Sequence, residues 1–512
     1  MLTLAAALGS RTEPLRKLVV STLEDRLDSD VELENFSVDL FPTVTIYGEG
    51  LTVKLRNAAA ASVPPLIQIQ SFTVHCGILD LLRRPRHFTH VTLEKLVVNI
   101  PPGGLKKDGN TIADPVQRAD GPKAAGGPKD KSVESPIIVD ELVADGALLR
   151  IIPRRAGKEP KEFAIQALTM TSLGHWQQMP FVATLTNPIP KGQIETTGTF
   201  GPWQKGDPGS TPLGGQYKFQ NADLDTIKGI GGILNSTGDF SGVLERIAVK
   251  GEARVPDFHL DISRHPVSLS SSFEAVVDGT DGDTYLNQVD AQFLKTALTA
   301  KGAITGTKGV KGRTIKLNVH VQEGRIEDLL TLAAKGDKPL MIGRVGLDAD
   351  FHLPPGDQDV IEKLRLAGKF KVGSATFTDR GVQQKLASMS QRARGRDPDE
   401  KAENVVSDLS GHFTLKTGTL WFSELSFGLP GAIVRLQGSY GLRSEELAFD
   451  GTLRMDATIS QAAGGGVKGA LLKVIDPIFR KKGAGAVVPI RIHGRRDKPE
   501  FGLDVGKVFK SK

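Results

Sequence analysis

Ten histidines, His75, His87, His90, His175, His259, His265, His320, His352, His412 and His493, are the residues best suited to metal or acid–base chemistry, and they are scattered along the chain. A zinc site of the metalloprotease kind needs His-Glu-x-x-His on a helix, or at least two imidazoles on one helical face. Neither spacing occurs, and His87 and His90, three apart beside a strand start, read as solvated turn residues. Asp278-Gly279-Thr280-Asp281-Gly282-Asp283 has the look of a calcium loop, but such a loop needs oxygen ligands at positions 1, 3 and 5 and a glutamate at 12, where this chain has Gly282 and Val289. Asp-Gly pairs also supply the positive φ of a tight turn, which is the better reading here. Gly464-Gly465-Gly466-Val467-Lys468-Gly469 fits GxGxxG, yet a dinucleotide site also requires a parallel βαβ unit and an acid about 20 residues on. The run from Gly306 to Gly312 lacks the ending of a phosphate loop. No Gly-x-Ser-x-Gly elbow comes with a partner His and acid. Cys76 is the sole cysteine, so an intramolecular disulfide and a cysteine zinc site are excluded. The expectation is a protein that is not an enzyme, with no catalytic residue, metal or cofactor.

Composition narrows the class. A chain of 512 residues calls for several domains or one repetitive architecture. Hydrophobic residues at 39% and charged residues at 24% suit a folded protein, while 57 glycines and 6% aromatics point to many turns and few aromatic cores. The net charge of +6 is local, because Lys468 to Lys512 holds 12 basic and 4 acidic residues and the remainder is slightly negative. With four tyrosines and three tryptophans in the whole chain there is no basic stripe interleaved with stacking rings, which argues against nucleic acid as a partner. Met1 to Leu8 is apolar but far short of the roughly 20 residues that span a bilayer. It lacks a basic flank too, so neither a membrane helix nor a signal peptide is expected.

The elements that position any site are mostly strands. A helix is expected from Pro14 to Leu27, capped by Thr12 or Glu13, with Leu15, Leu18, Val19, Leu23 and Leu27 on one face. Beyond it the apolar period is two. Val44/Ile46 and Leu51/Val53, on either side of Gly48-Glu49-Gly50, predict a hairpin. Ile67/Ile69, Phe72/Val74, Val91/Leu93, Ile137 to Val139, Phe181 to Leu185 and Ile194 to Phe200 continue the alternation, and the clearest series lies between Ser410 and Ile459. Helical insertions are expected at Leu224 to Leu234, Val360 to Leu364 and Val382 to Ala393, where Val382, Leu386 and Met389 share a face. Gly103 to Pro136, rich in Gly, Pro, Lys and Asp, reads as a loop or linker. The resulting division is 1–102, 103–136 and 137–512.

Twenty or so strands at about 4.8 Å spacing make an unbroken sheet of roughly 100 Å, which must curl, close or split. The fold expected is mainly β, a long twisted antiparallel sheet curled into an open groove with an apolar inner face, and a few short helices at the ends and in insertions. Towards the C-terminus Leu471, Leu472, Ile475, Ile478 and Phe479 form an apolar helical face that ends in Arg480-Lys481-Lys482. Two readings compete for it. The segment plugs the groove and sets its cations at a helix C-terminus, or Leu471, Leu472, Ile475, Phe479, Arg480, Lys481 and Lys482 touch anionic headgroups at a membrane surface.

Several segments, taken in order, resemble AsmA-like proteins. Leu15-Arg16-Lys17-Leu18, Leu33-Glu34-Asn35-Phe36-Ser37-Val38 and Phe41-Pro42-Thr43-Val44-Thr45-Ile46-Tyr47-Gly48-Glu49-Gly50-Leu51 are similar to that family's N-terminal portion. Val249 to Phe258, Val277 to Thr284 and Ser410 to Tyr440 resemble its middle, and Val474 to Gly485 with Pro489 to Gly494 its C-terminal end. Each motif alone is a soft strand-turn pattern; the order is what carries the resemblance.

The resemblance implies a groove of the bridge-like lipid-transfer kind, held at the periplasmic face of a bacterial inner membrane by an N-terminal helix that this sequence does not display. The function expected is binding or conducting phospholipid acyl chains between membranes. The other reading is a periplasmic scaffold for outer-membrane biogenesis that works through protein contacts, its groove filled by its own side chains. For lipid carriage, geometry nominates Phe413, Leu415, Leu420, Phe422, Leu425, Phe427, Val434, Leu436, Leu453 and Met455 as the lining, since residues two apart share a face and neighbouring strands stack those faces.

Overall fold

The computed structural model describes residues 12–27, 29–39, 43–55, 64–77, 79–80, 85–100, 137–152, 158, 160–174, 177–204, 207–334, 338–396, 405–457, 486–496 and 498–503. Among them, 26 strands form one sheet, and helix is confined to short pieces. Alternating side chains explain this, because a pleated strand shows successive residues to opposite faces. In Ser407–Lys416, Leu409, Phe413 and Leu415 lie on the apolar face, while Asp408, His412, Thr414 and Lys416 are exposed on the other.

Neighbouring strands pair antiparallel, except that Arg86–Glu94 and Val97–Ile100 both run parallel to Ile137–Ile151. On their other side these two short strands pair antiparallel with Ile67–Cys76, interrupted near Lys95, whose φ is 50°. A parallel neighbour needs a crossover of about a dozen residues or more, and the sequence between Ile100 and Ile137 is long enough to supply it. Among the described residues, Lys498–Leu503 at one end and Ser29–Glu32 with Asn35–Asp39 at the other are each paired on one side only, so the sheet is open.

Two sets of contacts show that the sheet is rolled. Lys158 Nζ, in the loop between Ile137–Ile151 and Lys161–Leu173, donates to Asp283 Oδ2 at 2.6 Å and to the Gly306 carbonyl at 2.5 Å. On a flat sheet at about 4.8 Å per strand those groups would be roughly 40 Å apart. Val98, Ile100 and Leu149 likewise pack with Phe200, Trp203, Leu213 and Leu244, several strands further on. Leu149, Phe200 and Leu213 belong to the apolar face, which is therefore the inside of the roll.

The helix Thr12–Leu27 closes the first end, with Val20 and Leu23 packed on a buried cluster that includes Val31, Leu33, Leu51, Val53, Val91 and Leu93. Its Arg16 donates to the Leu33 carbonyl at 2.6 Å. Helices Ile326–Ala333 and Arg380–Ala393 follow strands that end on the same rim. Asp328 fastens the first of these, accepting from Thr296 Oγ1 at 2.8 Å, and Asp379 caps the second, accepting from Val382 N at 2.8 Å. The short helix Val360–Lys363 begins at Asp359, which accepts from Ile361 N.

Some local expectations give way. Val44–Leu55 is one strand, not a hairpin: Gly50, at φ 68°, absorbs a kink that lets its first part pair with Asn35–Asp39 and its last with Ser29–Glu32. Leu224–Leu234 is a 3-10 turn at Leu224–Thr226 followed by strand, because Gly229, Gly231 and Gly232 penalise helix. In Arg380–Ala393 the face against the sheet is Leu386, Ala387, Ser390 and Ala393, and Val382 and Met389 are exposed. The helix Ile326–Ala333 was not among the expected insertions; Glu327 and Asp328 in its first turn beside Ile326, Leu329 and Leu330 were the available signal. The expected Leu471 to Phe479 helix and the Gly103 to Pro136 linker lie outside the described residues.

Candidate functional site: an apolar trough

Register carries the apolar face from strand to strand. Phe273 pairs with Val289, Val289 with Ala300, Ala300 with Val319, and Val319 with Ala349. The same row continues through Gly368, Phe413, Phe422, Gly438 and Phe449. Most of these side chains are half-buried, and among the described residues no second sheet or helical layer lies over the middle of the face.

Large rings sit opposite glycines. A Cβ at Gly368 would lie 3.0 Å from the Phe413 ring, one at Gly215 3.0 Å from Phe240, and one at Gly411 3.2 Å from Phe370. The rings of Phe422 and Phe449, either side of Gly438, are 5.9 Å apart, and those of Phe370 and Phe422, on the two strands that flank Ser407–Lys416, are 6.5 Å apart. Each ring covers a gap left by a missing side chain, so the inner surface is closed without being bulky.

All ten nominated lining residues fall on this face. Leu415 pairs with Leu420, Phe413 with Phe422, Leu425 with Leu436, Phe427 with Val434, Val434 with Leu453, and Met455 follows two residues later. Leu415 and Val434 are buried and the other eight half-buried. Phe427, Leu453 and Met455 pack against the helix Arg380–Ala393, so at that rim the lining is an ordinary core. The face also extends beyond the nominated set, through Leu317, Val321, Leu347, Phe351, Leu366 and Phe370; period-two alternation in those strands was the available signal. The nominated membrane-contact residues Leu471, Leu472, Ile475, Phe479, Arg480, Lys481 and Lys482 lie outside the described residues.

The opposite face is polar. His320 and Lys369 flank Asp348, His412 faces Glu424, and Arg491 binds Asp450 at 2.9 Å. The His320 hydrogen bond holds the Asp348 carboxyl below its usual range. Two shallow clefts lie on this side, since a twisted sheet is saddle-shaped and has a concave line on each face. In the cleft that holds Asp348 and Asp450 most charged groups are occupied by the pairings just named, and among the described residues no three His, Cys, Asp or Glu side chains converge as a metal site.

The Asp278–Asp283 segment is a buried turn. Asp278 accepts from Thr280 N at 2.9 Å and Asp281 from Asp283 N at 2.8 Å, while Asp283 binds Lys158, Arg313 and Gly306 N. Asp281 is 3% exposed, its Oδ2 has no hydrogen-bond partner among the described residues, and burial pushes its carboxyl above the usual range. Among the described residues no helix is long and apolar enough to cross a membrane. Comparison with known protein families, with characterised proteins and with solved structures found no match to this chain.

Proposed function

We propose that the trough holds lipid acyl chains in a non-enzymatic protein of the cell envelope, as the resemblance to AsmA-like proteins implies. The supporting observation is the continuity of the half-buried apolar face from Phe273 to Phe449, over the middle of which no covering layer lies among the described residues. An exposed apolar surface of this extent calls for an occupant. Each methylene removed from water contributes about 0.8 kcal/mol, so a partly enclosed chain of about a dozen carbons is held without a polar contact.

The test is mass spectrometry of lipid that co-purifies with the full chain and with a Leu420→Asp, Leu436→Asp double variant. Both positions are half-buried, so the sheet tolerates the change. The proposal requires phospholipid on the wild type and its loss from the folded variant; a lipid-free wild type, or equal lipid on both, overturns it. The sealed first end favours a second reading, an envelope scaffold acting through protein contacts, which requires the wild type to be lipid-free.

A further inference from the structure

Four exposed large apolar residues gather around one helix on one rim. Leu340 is 56% exposed, Val406 48%, Val382 39% and Met389 36%. Hydrogen bonds place them together: Thr378 Oγ1 donates to the Leu340 carbonyl at 3.2 Å, and Gln383 Nε2 to the Val405 carbonyl at 2.8 Å. On the helix Arg380–Ala393, Val382, Lys385, Met389 and Arg392 recur every three or four residues and are all exposed, which makes one stripe of alternating apolar and cationic groups. Arg380, Arg394 and Arg396 are exposed around it. Among the described residues these cations have no ion pair, and the neighbouring acids are engaged: Asp379 caps Val382 N, and Asp408 accepts from Ser374 N at 3.3 Å.

We infer that this rim docks on an anionic lipid surface, with the helix lying in the interface and the mouth of the trough brought to the bilayer. The pattern decides the partner. Unpaired cations interleaved with apolar residues on one exposed helical face suit anionic headgroups and the acyl boundary beneath them. The inference rests on the acyl-chain reading, because the inner side of the same helix packs on Phe427, Leu453 and Met455 of the lining.

The experiment is flotation of the full chain with phosphatidylcholine vesicles, with and without phosphatidylglycerol. The wild type floats with the anionic vesicles and is released by salt. Lys385→Gln with Arg392→Gln lowers the bound fraction about tenfold, Val382→Ser with Met389→Ser lowers it too, and both keep their co-purified lipid and circular dichroism. The Leu420→Asp, Leu436→Asp variant floats like the wild type, so loss of cargo and loss of docking are read separately. Asp397, Asp399, Glu400 and Glu403 follow the helix in sequence; if they neutralise the stripe, no preference for anionic vesicles appears and the inference falls. It falls equally if the wild type stays unbound or both helix variants float unchanged.

Discussion

The strands before Leu173 and those between Val267 and Met455 share one period-two alternation, yet the inner face is sealed in the first region and open in the second. In the first, Val31, Val53, Val91, Leu93 and Ala144 are all less than a tenth exposed, under Val20 and Leu23 of the leading helix. In the second, the described helices reach only the rim, where Val345, Val372, Leu429 and Ala432 are buried, and the middle of the face stays half-exposed. Alternation decides which residues face inward; what covers them depends on a partner element, and among the described residues the first region alone has one across its face.

One substitution in both regions exposes the difference. Val53→Asp buries a charge at a site 1% exposed, and is expected to cost at least about 4 kcal/mol and to abolish hydrogen-exchange protection of Ser29–Glu32 and Val44–Leu55. Leu436→Asp, at a half-buried site, should cost about 1–2 kcal/mol. Equal costs would mean that the trough is as sealed as the first end.

The roll that joins the two regions depends on Asp283, whose side chain is 2% exposed and binds both Lys158 and Arg313. Asp283→Ala leaves both cations short of a partner and should cost about 2–4 kcal/mol in urea denaturation. Unchanged stability would show that apolar packing around Leu244 holds the roll by itself.

Asp281 has a smaller effect of opposite sign. Burial raises its carboxyl above the ordinary range, so the folded chain takes up this proton at a higher pH than the unfolded chain does. Ionised Asp281 thus lowers stability above the raised value, and the loss is recovered as pH falls from there to the ordinary carboxylate range. Asp281→Asn should raise the thermal midpoint at neutral pH, by an increment that shrinks through that window. The smallest change is expected outside the trough: Lys250 and Glu274 pair at 3.0 Å with both side chains more than half exposed, and Lys250→Ala should alter stability by less than about 0.5 kcal/mol and leave bound lipid unchanged.

The mainly β fold and the inward set from Phe413 to Met455 were legible in sequence because alternation is local, and each strand declares its own face. Rolling was not legible in detail. Lys158 and Asp283 meet across 125 positions, and nothing near either residue names the other. The parallel pairing of Arg86–Glu94 with Ile137–Ile151 was hidden for the same reason, as strand direction is settled by a long connection and not by the strand's own residues. The Gly48-Glu49-Gly50 run misled because glycine serves a kink within one strand as well as a turn between two.

The glycines opposite the phenylalanines set how a hydrocarbon would travel. Without them, rows of rings would stand up as ridges at every strand, about 4.8 Å apart, and a sliding chain would have to climb each one. With Phe413 laid over Gly368 and Phe240 over Gly215, the relief is levelled and the wells are shallow. If the trough carries acyl chains as proposed, binding summed over many weak contacts would coexist with low friction along the sheet, whereas a few deep pockets of the same total strength would trap a chain in place.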